Sequence, residues 1–561
     1  YYNLGWSCLM QDKTDEAYDA FFKSAWNAAW QDAAYYNLAA IDCRRGNFEK
    51  ALDLIDRSLV RNWHHHKARQ LKASILRHLG RKEEALELIA ESLKIDRFNM
   101  GCRFEQYLLT GDDHVLKEMQ RLMHGAAHVY IEYALDFAQA GLYDEAINLL
   151  GGYAATQGEV YPMVHYALGY CHSRKGDTVK ALEYYKKAEQ DDHSYCFPNR
   201  IEEVLVLQDA MKENHEACAK AAYALGNFWY AARQYDNAIA CWEASAAIDP
   251  AFPTVWRNLS LAYYNKRNDP QKAVETLEKA YRLDESDARI LMELDQLYKR
   301  LGRPQAERLA FLEAHPAETE SRDDLSIERI TLYNQLGRYE EAEALIAARK
   351  FHPWEGGEGK ITGQYTICHV ELAKIALREH RYADALDLLQ ATDQYPYNLG
   401  EGKLINAEEN DIWYYKGLAY RGLGDEENAK LWLHKATQGS AEPQQAFFYN
   451  DAQPDKIFYQ GLAWRALGEE GKARGRFNKL IKHGEKHLFD HCRIDYFAVS
   501  LPDLAIWEDN LDKRNAIHCN YVMGLGYLGL EDRVHAIEYL DKARALDINH
   551  QGAQIHRELC E

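Results

Sequence analysis

One short run occurs twice in this chain and holds its best candidates for chemistry. Gly357-Glu358-Gly359-Lys360 follows His352-Pro353-Trp354-Glu355-Gly356, and Gly400-Glu401-Gly402-Lys403 follows Tyr395-Pro396-Tyr397-Asn398-Leu399. Glycines free backbone N–H groups and permit left-handed φ. Lys360 and Lys403 offer cations to an anionic group, while Trp354, Tyr395 and Tyr397 offer flat faces. The candidate binding residues are therefore Trp354, Glu355, Glu358, Lys360, Tyr397, Asn398, Glu401 and Lys403. Asp495 and Tyr496 join them, from the proline-broken apolar run Asp495-Tyr496-Phe497-Ala498-Val499-Ser500-Leu501-Pro502-Asp503. The G-x-x-x-x-G-K-[ST] spacing of a phosphate loop is absent, and no strand precedes either copy. The same residues also read as elongated turns, with Gly ending one helix and Lys beginning the next. If adjacent repeats carry the two loops, both emerge on one side, and Lys360 and Lys403 reach one anionic partner.

Other candidate chemistry is weaker. His483, His487 and His491 fall four residues apart, a spacing that sets three imidazoles on one helical face and suits zinc. Gly484 weakens that helix, and no H-E-x-x-H frame supplies a base. His64-His65-His66 splay around a helix or turn. No G-x-S-x-G elbow or dinucleotide fingerprint occurs, so the expectation is no catalytic residue and no cofactor. Glycosidase work needs two carboxylates set across a sugar cleft, and no helix pattern displays that.

What positions these loops is a repeat. Ala17 recurs as Ala51 and Ala85, a step of 34 residues. Tyr1, Leu4 and Gly5 lead to Ala17 and Phe21; Tyr35, Leu38 and Ala39 lead to Ala51 and Ile55. A helix–turn–helix unit of that length cannot bury its own apolar face and must stack on a neighbour. The small residues let the two helices approach, and aromatics fill the space between units. Further units centre on Ala134–Ala146, Ala181, Ala306, Ala342 and Ala385. Residues 101–125 and 191–217 do not fit the pattern and read as irregular helices. The expected total is roughly 12–14 units at this period.

The chain has 561 residues and a net charge of −20. That excess argues against nucleic acid, whose phosphates need clustered Lys and Arg, and against an anionic membrane surface. Eleven dispersed cysteines without a C-x-x-C pair read as reduced core thiols in a cytoplasmic setting. No apolar run of about 18 residues or signal peptide appears. Tyr1 already sits inside a repeat, so the chain reads as a piece trimmed at its N-terminus. Residues 550–560 read as a capping helix with one polar face, which makes the C-terminus look genuine.

The best units are Leu225-Gly226 with Ala238, Trp242 and Asp249-Pro250, then Trp256, Leu259 and Tyr263 with Ala273 and Ala280. Trp413, Gly417 and Tyr420 precede Ala429 and Ala436; Gly461 precedes Ala473 and Phe477; Gly524 and Tyr527 precede Ala536 and Ala543. This grammar resembles the tetratricopeptide repeat over almost the whole chain. The resemblance implies an all-α fold, a right-handed α-solenoid superhelix of stacked hairpins. Its stretches are regular units over 1–100, units with irregular helices over 101–217, units over 218–350, units with the inserted loops over 351–510, and a last unit with its cap over 511–561. The implied function is an interaction scaffold for a protein partner or an upstream domain of the same polypeptide. Some such proteins hold peptide backbone with a ladder of Asn on the inner helix. Here Asn3, Asn37 and Asn258 take that position, but Ala167, Tyr415, Tyr459 and Val522 interrupt it. The loop wording, Pro-Trp-Glu-Gly-Gly-Glu-Gly-Lys and Asp-Tyr-Phe-Ala-Val-Ser-Leu-Pro-Asp, also resembles long bacterial proteins with a carbohydrate-enzyme-like N-terminal region before a repeat array. That likeness implies the alternative, a sugar-binding surface around Trp354 and Asp495.

Overall fold

The alanine period works because alanine is the largest side chain that two crossing helices admit at closest approach. In the computed structural model, which describes every residue except 216, 355, 446–450 and 494–505, Ala17, Ala51, Ala85, Ala146, Ala181, Ala238, Ala273, Ala342, Ala385, Ala429, Ala473 and Ala536 are all fully buried. Where an inner helix carries a glycine at the crossing, it does the same from the other side. A Cβ on Gly226 would stand 2.4 Å from the Trp242 indole, and one on Gly461 would stand 2.3 Å from the Phe477 ring. Ala238→Leu is accordingly expected to cost about 1–3 kcal/mol by overpacking. An unchanged melting curve would refute that placement.

The result is an all-α solenoid of helical hairpins, with no strand among the described residues. Asp177, Asp269, Asp425 and Asp532 cap second helices through N–H groups of the first turn. Among the described residues, fourteen hairpins account for most of the helices; Ile201–Glu213, Pro316–Ser321 and Gln551–Glu558 stand outside the pairing. Residues 101–125, irregular by sequence, form a short hairpin, Met100–Thr110 with Asp113–Met123. Ala306 departs from expectation. Its helix begins only at Gln305, so Ala306 lies exposed in the first turn and Arg308 and Leu309 face the core instead.

The chain divides into two compact units, Tyr1–Val255 and Trp256–Glu561. In the first, inner helices of distant hairpins touch. Arg44 donates from Nε and Nη2 to the Gln139 carbonyl at 3.1 and 2.7 Å, and Lys67 reaches Asp136 at 2.8 Å. Asn37, a ladder position, is buried there and accepts from Gln139 at 3.2 Å. An extended peptide cannot claim that amide without breaking this packing.

The second unit is built differently. Its hairpins are joined by long connections over 349–359, 392–409, 437–453 and 488–510. Its C-terminal stretch folds back across earlier inner helices. Gln305 donates to the Ile548 carbonyl at 2.7 Å, Gln335 to the Asn549 carbonyl at 2.8 Å, and Gln364 to Gln551 at 3.0 Å. The polar face of the last helix, expected to meet water, therefore meets protein. All eleven cysteines are free, and ten are buried. No described helix is long and apolar enough to cross a membrane.

Candidate functional site

The duplicated loops occupy equivalent places, each leading from one hairpin to the next, Tyr339–Ala348 to Lys360–Arg378 and Tyr382–Ala391 to Asn410–Gly422. They pack against each other. The Gly359 N–H donates to Glu401 Oε2 at 2.9 Å, and the Phe351 N–H to the Asn398 carbonyl at 2.7 Å. Asn398 Nδ2 donates to the Ile346 and Arg349 carbonyls at 2.7 and 2.9 Å, closing the open end of the preceding helix. Gly400 adopts φ 74°, and a Cβ there would strike the Phe351 carbonyl at 2.6 Å. Asn398, Glu401 and Gly400 are thus the joint between the loops. Trp354 covers Gly357, and Glu358 accepts from the Gly356 N–H at 2.8 Å. Tyr397 is 87% exposed. Glu355, Asp495 and Tyr496 lie outside the described residues.

The two lysines do different work. Lys403 Nζ donates to the Thr392 carbonyl at 2.8 Å and pairs with Glu409, so its charge is spent inside its own connection. Lys360 forms no ion pair among the described residues; its Nζ lies 5.7 Å from the centre of the Trp354 ring. Surrounding protein, then the Lys299 ammonium, hold the Lys360 pKa below the usual lysine range, against the pull of Glu328 and Asp324.

Lys360 edges a cleft of about 1050 Å³ inside the second unit. One wall comes from Ala288–Arg300, Asp323–Gln335 and Lys360–Arg378. The other comes from Glu508–Arg514 and Arg544–Gln551. At its base Arg308, fully buried, donates to Asp295 at 3.0 and 2.6 Å, to Glu328 at 2.7 Å and to the Asn549 carboxamide oxygen at 3.1 Å. Lys299 adds bonds to Glu328 at 2.9 and 3.1 Å. Burial works to raise the Glu328 pKa, but Lys299 and Arg308 outweigh it and keep the carboxyl ionised. Asp295 keeps a raised pKa, because burial outweighs Arg308 there.

Among the described residues, two buried polar atoms beside the cleft have no partner, Gln335 Oε1 and Arg544 Nε. Lys513 and Arg544, like Lys360, form no ion pair among the described residues. The sequence pattern singled out Lys360 but missed Lys299, Arg308, Gln335, Lys513, Arg544 and Asn549. Two signals pointed to them. Arg308 is a charged residue where the repeat wants an apolar one, and Asp547-Ile548-Asn549 stands where Asp249-Pro250 ends an earlier unit.

The histidine trio is not one face. Its helix ends at His487, leaving His491 beyond it, and each of the last two has a separate acid, Asp490 for His487 at 2.6 Å and Asp512 for His491 at 2.8 Å. No cluster of His, Cys, Asp and Glu suited to a metal occurs among the described residues.

Sequence profiles of the tetratricopeptide repeat match residues 36–99, 133–195 and 219–288, and a second profile with that description matches 411–438. The chain carries tetratricopeptide repeats. Among solved structures it is similar to MamA (41-end) from Desulfovibrio magneticus RS-1, 21% identical over 35% of this chain and 97% of that one, with a TM-score of 0.21. It is similar to yeast Tom70, 13% identical over 86% of this chain and 91% of that one, with a TM-score of 0.24. The third is the APC/C hetero-tetramer Cut9-Hcn1, 13% identical over 99% of this chain and 95% of that one, with a TM-score of 0.25.

Proposed function

We propose that this tetratricopeptide array is an interaction scaffold whose second unit takes an acidic segment of a protein partner, or of an upstream domain of its own polypeptide, into the cleft beside Lys360. The observation that carries the reading is a set of cleft cations that no described carboxylate pairs, in a chain of net negative charge. The whole molecule has a net charge of −20, yet Lys360, Lys513 and Arg544 at one cleft form no ion pair among the described residues, although Asp324, Glu508, Asp509 and Asp547 line the same cleft. Arg544 Nε also wants an acceptor. Carboxylates satisfy all of these at once through charge-assisted bonds. The sugar-surface reading needs Trp354 and Asp495 around one pocket. Trp354 packs on Gly357, and Asp495 lies outside the described residues.

The test is fluorescence anisotropy with a labelled glutamate-rich peptide and a lysine-rich control. The acidic peptide is expected to bind and to weaken as salt rises. Lys360→Met with Arg544→Met is expected to cost about a hundredfold or more, from two charge-assisted contacts of about 1.5–3 kcal/mol each. Lys403→Met is the internal control: it removes a helix-end contact, lowers the melting temperature and leaves affinity unchanged. Equal binding by the lysine-rich peptide, or by the double variant, would remove the basis for the proposal.

A further inference from the structure

Beside the cleft, in the same unit, lies a smaller cavity of about 380 Å³. That volume suits a ligand of amino-acid size. Its lining includes four carboxylates, Glu371, Asp411, Asp455 and Asp547, and one cation, Arg514, which already reaches Asp509 at 3.2 Å. Lys374 answers part of Glu371 at 2.8 Å; Lys456 bridges Asp411 at 2.6 Å and Asp455 at 3.3 Å. Each carboxylate has several lone-pair sites, so these contacts leave acceptor capacity on all of them.

An independent observation comes from His556, which also lines the cavity and is only 4% exposed. Its Nδ1 lies 2.7 Å from the Gly552 carbonyl. A carbonyl can only accept, so Nδ1 carries the proton and Nε2 is a bare acceptor. That Nε2 is buried and has no partner among the described residues. Burial holds the His556 pKa down to about 4, so the ring is neutral near pH 7 and the lone pair is free. A buried acceptor without a donor is costly, and a ligand that donates removes the cost. Tyr459 and Tyr521 complete the wall with aromatic rings, the usual company of an organic cation.

We propose that this cavity is a binding site for a compact organic cation, an amine or guanidinium group of amino-acid size, held by Glu371, Asp411 and Asp455 with His556 as a neutral acceptor. Four lining carboxylates stand against Arg514, Lys374 and Lys456, so one negative charge remains in excess; it selects against anions, and against neutral polyols, which would leave it uncompensated. The site does not depend on the acidic partner of the neighbouring cleft, and its ligand has the opposite charge.

The experiment is calorimetric titration of the whole chain with agmatine, alongside maltose as a neutral polyol and glutarate as an anion. Agmatine is expected to bind saturably at one site per chain, with maltose and glutarate silent. Glu371→Gln and Asp455→Asn are expected to weaken it about tenfold each, the loss of one charge-assisted contact. Circular dichroism identifies any variant that fails to fold, and the wild-type panel stands without the variants. No saturable agmatine binding, equal binding of maltose, or undiminished binding by both folded variants would overturn the proposal. Loss of acidic-peptide binding in the neighbouring cleft would not bear on it.

Discussion

Replacing Arg308 with methionine is expected to destabilise the second unit by about 3–5 kcal/mol, the cost of breaking a buried ion pair by removing one partner. The guanidinium is fully buried and joins Asp295, Glu328 and Asn549, which come from two inner helices and the returning C-terminal stretch. Without it, Asp295 is left buried and uncompensated. Glu328 keeps Lys299 and suffers less. The pH dependence has a definite sign. Burial raises the Asp295 pKa in the folded chain, so folded protein holds a proton that unfolded protein releases, and stability falls as pH rises through that window. Losing Arg308 raises that pKa further, so the deficit of the variant is expected to be larger at pH 7 than at pH 5. Adding Asp295→Leu to Arg308→Met is expected to recover part of the loss, because no lone charge remains there. Urea denaturation at the two pH values measures all of this. A loss below about 1 kcal/mol would mean the network contributes little beyond a surface pair.

Trp507→Ala is expected to cost about 3–5 kcal/mol, the range for removing a buried tryptophan or phenylalanine side chain. Trp507 is 1% exposed and meets Tyr264 edge to face, with centroids 5.2 Å apart. Its neighbours are held by Asn265, which donates to the Ile506 carbonyl and accepts from the Glu508 N–H, both at 2.9 Å. The indole is therefore the anchor that sets Glu508 and Asp509 at the cleft. Its N–H has no acceptor among the described residues. Trp507→Phe is for that reason expected to retain most of the stability, since the ring matters and the N–H does not. Thermal unfolding of the two variants separates these contributions, and equal losses would show that the N–H has a partner after all.

The hairpins were legible because their determinants are local. Ala238 and Gly226 are small for reasons set within one hairpin and its neighbour, and a period of 34 residues displays that directly. The hairpin over Met100–Met123 was not legible, because its short helices cross without the marker alanine. The cleft was not legible either. Arg308, Gln335 and Asn549 meet across more than 200 residues, and no periodicity records which distant surfaces a curved array brings together. The loops fall between. Their duplication announced a joint unit, and Gly359 with Glu401 makes that joint. Spacing alone, though, did not separate a lysine that caps a helix end, Lys403, from one that edges a cleft, Lys360.

The most direct measurement of the central claim is hydrogen–deuterium exchange on the whole chain, with and without a saturating acidic peptide. A partner seated beside Lys360 is expected to slow exchange over 324–335, 360–364 and 544–551, with no change in Tyr1–Val255. Protection confined to the first unit, or none at all at saturation, would contradict the cleft as the place where this scaffold binds.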